Sequence, residues 1–228
     1  MNRILLFACL LGLIMSACKE QTQQSNPAQV RLEGPVLIEM ITKGYSVKDS
    51  EGEIVQDTLQ QMQSVTYDAL GREESNIYYN IDGTPQWRDV YEYNDKDFKI
   101  GSKYYEGGVN KITYKYEIDS VGRRLKYVAY DAQSAAALYD GYSIYEDGGK
   151  VRKDGFKDNM GVVRWQYEYL FDEGQNELGY VYIDAQTGKR YTSFYKTLSK
   201  DSLGRWTKRG IYENDSLRGI EERIYSYQ

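Results

Sequence analysis

The six residues Tyr67-Asp68-Ala69-Leu70-Gly71-Arg72 contain the motif that decides the fold. An Asp at the first position of a turn accepts backbone hydrogen bonds, and a Gly at the fourth position adopts a positive φ without strain. The Asp-x-x-Gly-Arg spacing recurs at residues 119–123 and 201–205, and Asp-x-x-Gly alone occurs at 49–52 and 158–161. Turns at such short intervals predict antiparallel hairpins, because parallel strands need long crossover connections.

The segments between the turns carry aromatic residues at every second position. Five Tyr-x-Tyr steps place two rings on one face of a strand: Tyr91/Tyr93, Tyr114/Tyr116, Tyr167/Tyr169, Tyr180/Tyr182 and Tyr225/Tyr227. The chain has 24 tyrosines and three tryptophans, which favour strands and supply buried apolar area where aliphatic residues are few. No sustained helical period follows the first seventeen residues.

This pattern predicts an all-β domain over residues 36–228, an elongated, twisted antiparallel sheet of repeated β-hairpins with about a dozen strands. Gln56–Gln63 is expected to be a longer connection, and residues 131–141 a loop insertion. We expect the terminal Ile224–Tyr227 strand to pair back onto the sheet. The open edges of such a sheet would favour self-association.

The repeated motif resembles the turn of YD-repeat (RHS-like) proteins, whose unit is a β-hairpin with Tyr-Asp-x-x-Gly-Arg at its tip. Short Bacteroidetes envelope lipoproteins with degenerate repeats are the most similar. Only Tyr67–Arg72 matches the motif in full. The resemblance implies a hairpin-repeat fold. The large members wind their sheets into a shell around a toxin, and this chain is too short to close such a shell. The residues assigned to the motif are Tyr67, Asp68, Gly71, Arg72, Asp119, Gly122, Arg123, Asp201, Gly204 and Arg205.

The N-terminus is predicted to be a secretion signal of 17 residues, followed by a lipid anchor. Arg3 precedes the apolar stretch Ile4–Met15, which is too short to span a bilayer. Met15-Ser16-Ala17-Cys18 resembles the lipobox of bacterial lipoproteins, which implies lipidation of Cys18 and attachment to the membrane. An ordinary signal peptide with a coincidental cysteine is the alternative.

Residues 18–35 are interpreted as the lipidated cysteine and a flexible polar tether. Lys19, in the position where lipoproteins retained at the inner membrane carry Asp, implies an outer-membrane lipoprotein. The sequence leaves open whether the domain faces the periplasm or the cell surface.

Composition excludes several classes of function. The chain has no histidine, which removes Ser/His/Asp and Cys/His catalysis and every histidine-ligated metal site. Its net charge of −5 disfavours a nucleic-acid partner. No cofactor is implied. Asn94–Asp97 has some oxygen ligands for Ca²⁺, but a plain polar turn is favoured because Lys96 interrupts them.

Two kinds of side chain remain as candidates for a site. Paired carboxylates could act as the acid and base of a hydrolase, although most of them fall at turn positions. Alternatively, aromatic rings could stack on sugars, or they could simply cover each other across strands. The arginines after each turn glycine are expected to stack on tyrosines or to pair with turn acids. The carboxylates are Asp95, Asp97, Glu106, Asp172, Glu173, Glu221 and Glu222, and the stacking candidates are Trp87, Trp165, Trp206, Tyr167 and Tyr169.

These observations favour a non-enzymatic, lipid-anchored cell-envelope protein that acts as a binding or scaffold module for an unknown protein or glycan partner. A glycan-binding surface lipoprotein is the first alternative, and a carboxylate-based hydrolase is the second. A partner of a secreted toxin is a further hypothesis, which rests on the family resemblance alone.

Overall fold

The computed structural model describes residues 36–228 except 51–52, 159 and 175, so the predicted signal, Cys18 and the predicted tether lie outside the described part. No helix of the described residues is long and apolar enough to cross a membrane. Apart from one short 3-10 turn at Asp147–Gly149, the regular elements there are strands. They are β1 (Leu37–Ser50), β2 (Glu53–Tyr67), β3 (Glu73–Tyr79), β4 (Pro85–Tyr93), β5 (Lys99–Glu106), β6 (Val109–Ile118), β7 (Arg124–Asp131), β8 (Ala137–Glu146), β9 (Val151–Lys157), β10 (Val163–Phe171), β11 (Glu177–Asp184), β12 (Arg190–Lys200), β13 (Trp206–Glu213) and β14 (Ser216–Tyr227).

The fourteen strands form a closed antiparallel barrel in which every strand pairs with its neighbours in sequence. The last strand pairs with the first, from Leu37 opposite Tyr227 to Ser46 opposite Gly219. The all-β antiparallel prediction is therefore confirmed, but the expected elongated open sheet is wrong. In an open sheet and in a closed barrel, the side chains of each strand alternate between the two faces in the same way. The two folds differ only in whether the first and last strands pair. Closure removes the free edges on which the expected self-association depended.

Two local expectations are also wrong. Gln56–Gln63 belongs to β2, and the predicted insertion at residues 131–141 is a short turn followed by the start of β8 at Ala137. The error in β2 has a physical cause, because its glutamines have polar partners on both faces of the sheet. Gln61 donates a hydrogen bond to Glu221, at 3.4 Å between heavy atoms, and Gln56 accepts one from Lys208 at 3.0 Å. Low hydrophobicity therefore does not mark a loop here.

The barrel has two rims, formed by alternate turns. The N-terminal rim, where β1 begins, carries the turns at residues 68–72, 94–98, 119–123, 147–150, 172–176 and 201–205. The distal rim carries those at 80–84, 107–108, 132–136, 158–162, 185–189 and 214–215. All three Asp-x-x-Gly-Arg turns therefore lie on the N-terminal rim, the end at which residue 36 enters the barrel.

The outer wall carries both ion pairs that link neighbouring strands and exposed hydrophobic side chains, such as Ile144, Phe194 and Ile224. Lys103 lies 2.6 Å from Glu92, Lys126 lies 3.2 Å from Asp140, and Arg190 lies 2.6 Å from Glu168, all measured between nitrogen and oxygen.

The core lies inside the barrel and is rich in tyrosine. Tyr78, Tyr167 and Tyr169 are at most 3% exposed, and the buried aliphatic side chains beside them are few, including Met40 and Val65. Neighbouring rings lie within contact distance through most of the interior, as in the stack of Tyr78 on Trp87 at 3.8 Å between centroids. The tyrosine-rich clusters expected from the sequence are therefore present.

Candidate functional site

The repeated turns share one hydrogen-bonding pattern. In the first, Asp68 Oδ1 accepts the backbone N–H groups of Leu70 and Arg72, each at 2.9 Å, and Oδ2 accepts the Arg72 Nε–H at 2.7 Å. Gly71 has a φ of 76°, which closes the turn in the left-handed region. Burial alone would raise the pKa of Asp68, but these hydrogen bonds and the arginine charge lower it below its usual value. The carboxylate thus holds the turn as an anion.

The other two Asp-x-x-Gly-Arg turns repeat this geometry. Asp119 accepts from the backbone of Val121 and Arg123 at 3.0 and 2.8 Å, and Asp201 accepts from Leu203 and Arg205 at 2.9 Å each. Each arginine also binds the second oxygen of its own aspartate.

Each of these arginines lies on a tyrosine of the second strand after its turn, at the same rim. Arg72 stands 4.6 Å from the ring centroid of Tyr93, and Arg123 stands 4.9 Å from that of Tyr145. Arg205 faces two rings, Tyr225 at 4.1 Å and Tyr227 at 4.8 Å. The arginine therefore joins its own turn to the next hairpin, which is a structural role.

The N-terminal half of the interior holds buried ion pairs. Arg209 and Glu221 are 2.6 Å apart with side chains 4% and 1% exposed, and Arg152 lies 3.2 Å from Asp154. Arg209 also stacks on the ring of Tyr195 at 3.5 Å. Arg209 and Arg152 are thus each paired with a carboxylate and covered by a tyrosine face, which satisfies charges that would otherwise be costly to bury.

The distal half of the interior has a different lining, which we call the distal aromatic belt. Each of its rings belongs to one of the three residues closest to the distal end of its strand, and most of the rings are half-buried. The Tyr139 and Phe156 centroids are 4.7 Å apart, and those of Phe156 and Trp165 are 5.8 Å apart. Buried Tyr167 continues the series by contacting Trp165 and Tyr182, at 5.4 and 5.2 Å. The belt comprises Trp87, Tyr104, Tyr139, Phe156, Trp165, Tyr182 and Tyr191.

One carboxylate lies beneath this belt. Asp89 faces Tyr104 across β4 and β5, and its Oδ1 has no hydrogen-bond partner among the described residues. Burial raises its pKa to about 7, an effect that the charge of Lys99 partly opposes. The pKa values of Tyr114 and Tyr139 are also raised. Burial is the largest cause, and the charge of Asp89 is one of the smaller causes. Asp89 is therefore a group that can change charge near neutral pH.

The structure separates the aromatic residues singled out from the sequence. Trp87 and Trp165 lie in the distal aromatic belt, half-buried. Tyr167 and Tyr169 lie deeper, packed on each other at 5.8 Å, and are 3% and 2% exposed. Trp206 is at the N-terminal rim, between Arg223 at 3.9 Å and Arg209 at 4.4 Å. The predicted group is therefore not a single row of rings.

The paired carboxylates are likewise dispersed. Asp95, Asp172 and Glu173 lie in turns of the N-terminal rim, and Asp97 is paired with Arg72 at 2.5 Å. Glu221 is buried against Arg209, while its neighbour Glu222 pairs with Lys208 at 3.0 Å. At Asn94, Oδ1 accepts the N–H groups of Lys96 and Phe98, which makes residues 94–98 another turn of the same type. No group of three or more Cys, Asp or Glu residues in the described ranges could hold a metal ion.

Two cavities open at the N-terminal rim. One of about 450 Å³ lies between the 201–205 turn and the end of β14, and a smaller one of about 220 Å³ lies between the 94–98 and 119–123 turns. The larger cavity is lined by Asp201, Ser202, Leu203, Arg205, Thr207, Arg223, Tyr225 and Tyr227.

Sequence reasoning missed Asp89, Arg223 and most of the belt. Trp87, Asp89 and Tyr91 lie at every second position of β4 and therefore share one face. This spacing in the sequence could have identified Asp89 as an acid that lies among aromatic rings. No comparable signal marks Arg223, because its contact with Thr42 of β1 depends on barrel closure.

Comparisons with known proteins give the following relations. No protein-family model and no curated protein matches the chain. Among solved structures, a porin-like protein from Bacteroides uniformis aligns with a TM-score of 0.47 at 10% identity, over 84% of this chain and 98% of that one. TcdB2-TccC3-TEV aligns at 0.31 and 15% identity, over 78% of this chain, and a Photorhabdus luminescens Tc holotoxin pore aligns at 0.30 and 12% identity, over 81%. The aligned region is only 9% and 12% of those two toxin chains.

Proposed function

We propose that this chain is a lipid-anchored, non-enzymatic cell-envelope protein, whose hairpins are degenerate YD-type repeats and whose barrel serves as a binding module. The observation that carries the proposal is the arrangement of the two rims. The chain enters the barrel at the N-terminal rim, through Val36, whose N–H donates to the carbonyl of Gln228 at 3.1 Å. A lipid at Cys18 would therefore attach at that end and leave the distal rim directed away from the membrane.

The structure of the barrel suits a rigid holder. Its interior is closed by stacked rings and buried ion pairs, and its outer wall carries surface ion pairs such as Lys103 with Glu92. On this proposal the wall remains in water, the membrane is contacted through the lipid, and the protein is an outer-membrane lipoprotein.

The distal aromatic belt is the surface that we assign to ligand binding. Half-buried rings with polar ends are the side chains most often found at the centre of binding surfaces. Trp87 and Trp165 belong to this belt and lie on β4 and β10, on different sides of the barrel. A neutral oligosaccharide is the candidate ligand that they favour, because flat rings stack on sugar faces and hydroxyl groups bind the sugar oxygens.

Two variants test the binding surface. The mature lipidated chain in detergent would be applied to a panel of immobilised neutral hexose and N-acetylhexosamine oligosaccharides. We expect Trp165→Ala and Trp87→Ala to weaken binding at least about tenfold, as for the loss of a central tryptophan. Trp206→Ala removes the same side chain at the opposite rim and serves as the matched control, with the unfolding midpoint of each variant measured in parallel.

Equal loss of binding in Trp206→Ala would contradict the assignment to the distal rim. Failure of every oligosaccharide to bind would contradict the glycan candidate.

The anchor is tested separately. Protease treatment of intact cells, followed by blotting for the barrel, distinguishes the cell surface from the periplasm. Cys18→Ser should release the protein from the membrane fraction, and retention of that variant in the membrane would contradict the lipid anchor.

A further inference from the structure

The three Asp-x-x-Gly-Arg turns of the N-terminal rim each expose an apolar side chain at the same position. The third residue of these turns is Leu70, Val121 or Leu203, and the three residues are 63%, 55% and 64% exposed. We call them the rim apices. A single exposed hydrophobic residue is ordinary on a protein surface, but the same exposure at three equivalent turns of one rim indicates a surface that contacts an apolar partner.

The rim apices are arranged around the point at which the chain enters the barrel. Val36 lies at this entrance, where β1 meets β14. The turn that contains Leu203 joins β12 to β13 and is the nearest turn on one side of the entrance, and the turn that contains Leu70 joins β2 to β3 on the other side. Val121 lies two turns beyond Leu70. A lipid at Cys18 would therefore bring the rim apices next to the membrane.

The turn backbone beneath each apex is already hydrogen-bonded. The N–H groups of Leu70, Val121 and Leu203 donate to the aspartate Oδ1 of their own turns, at 2.9, 3.0 and 2.9 Å. The charges of these turns are also paired, since each arginine binds the aspartate of its own turn. An apex can therefore enter a lipid headgroup layer without carrying an unpaired N–H group or an unpaired charge into it.

The remaining turns at the two rims differ from this arrangement. On the side of the N-terminal rim away from the entrance, the turns at 147–150 and 172–176 contain acidic residues and no large apolar residue. The distal rim exposes Ile81 and Met160, but these lie three turns apart, and both are at the end opposite the entrance. The rim apices thus combine apolar exposure with a position beside the predicted anchor.

We propose that the rim apices insert into the surface of the lipid bilayer, so that the N-terminal rim makes a second contact with the membrane. This inference rests on the proposed anchor at Cys18, which sets the rim against the membrane. The apices are single side chains separated by polar turn residues. A fluid headgroup layer admits each of them separately, whereas a protein partner would need a pocket for each. Tyr225 and Tyr227, which lie against Arg205 at this rim, are of the residue type that is enriched at membrane interfaces.

Flotation with lipid vesicles tests this contact in the absence of the anchor. The mature chain carrying Cys18→Ser would be mixed with vesicles of phosphatidylcholine and phosphatidylethanolamine at millimolar lipid. Because the charges of the three turns are paired, we expect binding to these neutral vesicles, with little change when salt or phosphatidylglycerol is added. Absence of binding to neutral vesicles, or binding only to anionic vesicles that salt abolishes, would overturn the inference.

This experiment separates the rim contact from the anchor. The Cys18→Ser chain cannot be acylated, so its flotation does not depend on whether Cys18 carries a lipid in cells. We expect the rim contact to be weak on its own, since it buries little apolar area. It therefore requires concentrated vesicles and does not hold Cys18→Ser in a washed membrane fraction.

Substitutions in the same Cys18→Ser chain locate the contact. Leu70→Ser and Leu203→Ser each remove one exposed apolar side chain and keep the aspartate of the turn, so both should fold as the parent chain does. Each should weaken vesicle binding at least about threefold, and the double variant at least about tenfold. Met160→Ser is the matched control, because Met160 occupies the same turn position at the distal rim, where its N–H donates to Asp158 at 3.0 Å. An equal loss in Met160→Ser, or unchanged binding in the double variant, would contradict the assignment to the N-terminal rim.

Discussion

The buried ion pair between Arg209 and Glu221 gives a quantitative prediction about stability. The two groups are 2.6 Å apart and 4% and 1% exposed, so neither can be solvated if the other is removed. Glu221→Gln keeps the shape of the side chain but leaves the Arg209 cation uncompensated. Breaking a buried pair in this way costs about 3–5 kcal/mol, a large part of the roughly 5–15 kcal/mol that stabilises a typical domain.

The assay is the free energy of unfolding from urea titration of the mature chain. Glu92→Gln is the control, since it breaks the exposed pair with Lys103 at the same 2.6 Å separation and should cost at most about 1 kcal/mol. The double variant Arg209→Met/Glu221→Leu should recover most of the loss, because it removes both charges together. A loss in Glu221→Gln no greater than that in the control would show that Arg209 does not need its buried partner.

Three further predictions concern the turns and the interior. Gly71→Ala should lower the free energy of unfolding in urea by about 1 kcal/mol, because of its positive φ alone. Gly122→Ala should cost about 1–3 kcal/mol more, since its new Cβ would lie 2.5 Å from the Phe98 ring. Equal losses in the two variants would contradict this packing. Because burial raises the pKa of Asp89 to about 7 in the folded state, folded Asp89 keeps its proton between about pH 4 and 7, whereas unfolded Asp89 loses it. The free energy of unfolding should therefore fall by about 1.4 kcal/mol per pH unit as the pH rises through this range. Asp89→Asn should flatten that decline in urea titrations across the same pH range, and an unchanged slope would exclude Asp89 as its source. Asp201→Ala should cost about 1–3 kcal/mol in thermal unfolding by leaving its turn N–H groups without an acceptor, and a loss near zero would show that the turn does not depend on them.

The hairpins could be predicted because their signals are local. Asp68 and Gly71 specify a turn by their own backbone requirements, and the Tyr-x-Tyr steps specify a strand face by period two. Both signals depend on residues a few positions apart, and tertiary structure did not override them.

Closure and the positions of the sites could not be predicted, because they depend on distant pairings. The barrel closes because β1 pairs with β14, at the other end of the domain. Taken alone, each strand has the same pattern of inward and outward side chains that it would have in an open sheet. Trp165 and Trp206 also look alike in sequence. They lie at opposite rims because Trp165 is near the distal start of its strand, whereas Trp206 directly follows a turn of the N-terminal rim.

The polar residues of β2 were misjudged for a related reason. A strand that faces a polar interior has no need of hydrophobic residues, so Gln61 can face Glu221 within the barrel. The lipid anchor at Cys18 stays a prediction, since it lies outside the described residues.

The central claim is that the barrel is held at its N-terminal rim and binds at its distal rim, and orientation-controlled surface plasmon resonance tests it most directly. The unlipidated mature chain would be coupled to the surface through Cys18 in one channel. In the other, a Cys18→Ser variant would be coupled through Gln186→Cys, in the exposed distal turn. With neutral hexose hexasaccharides as the probe, the account predicts binding in the first channel and a strongly reduced response in the second. Equal responses in both channels, or binding only when the distal rim faces the surface, would contradict it.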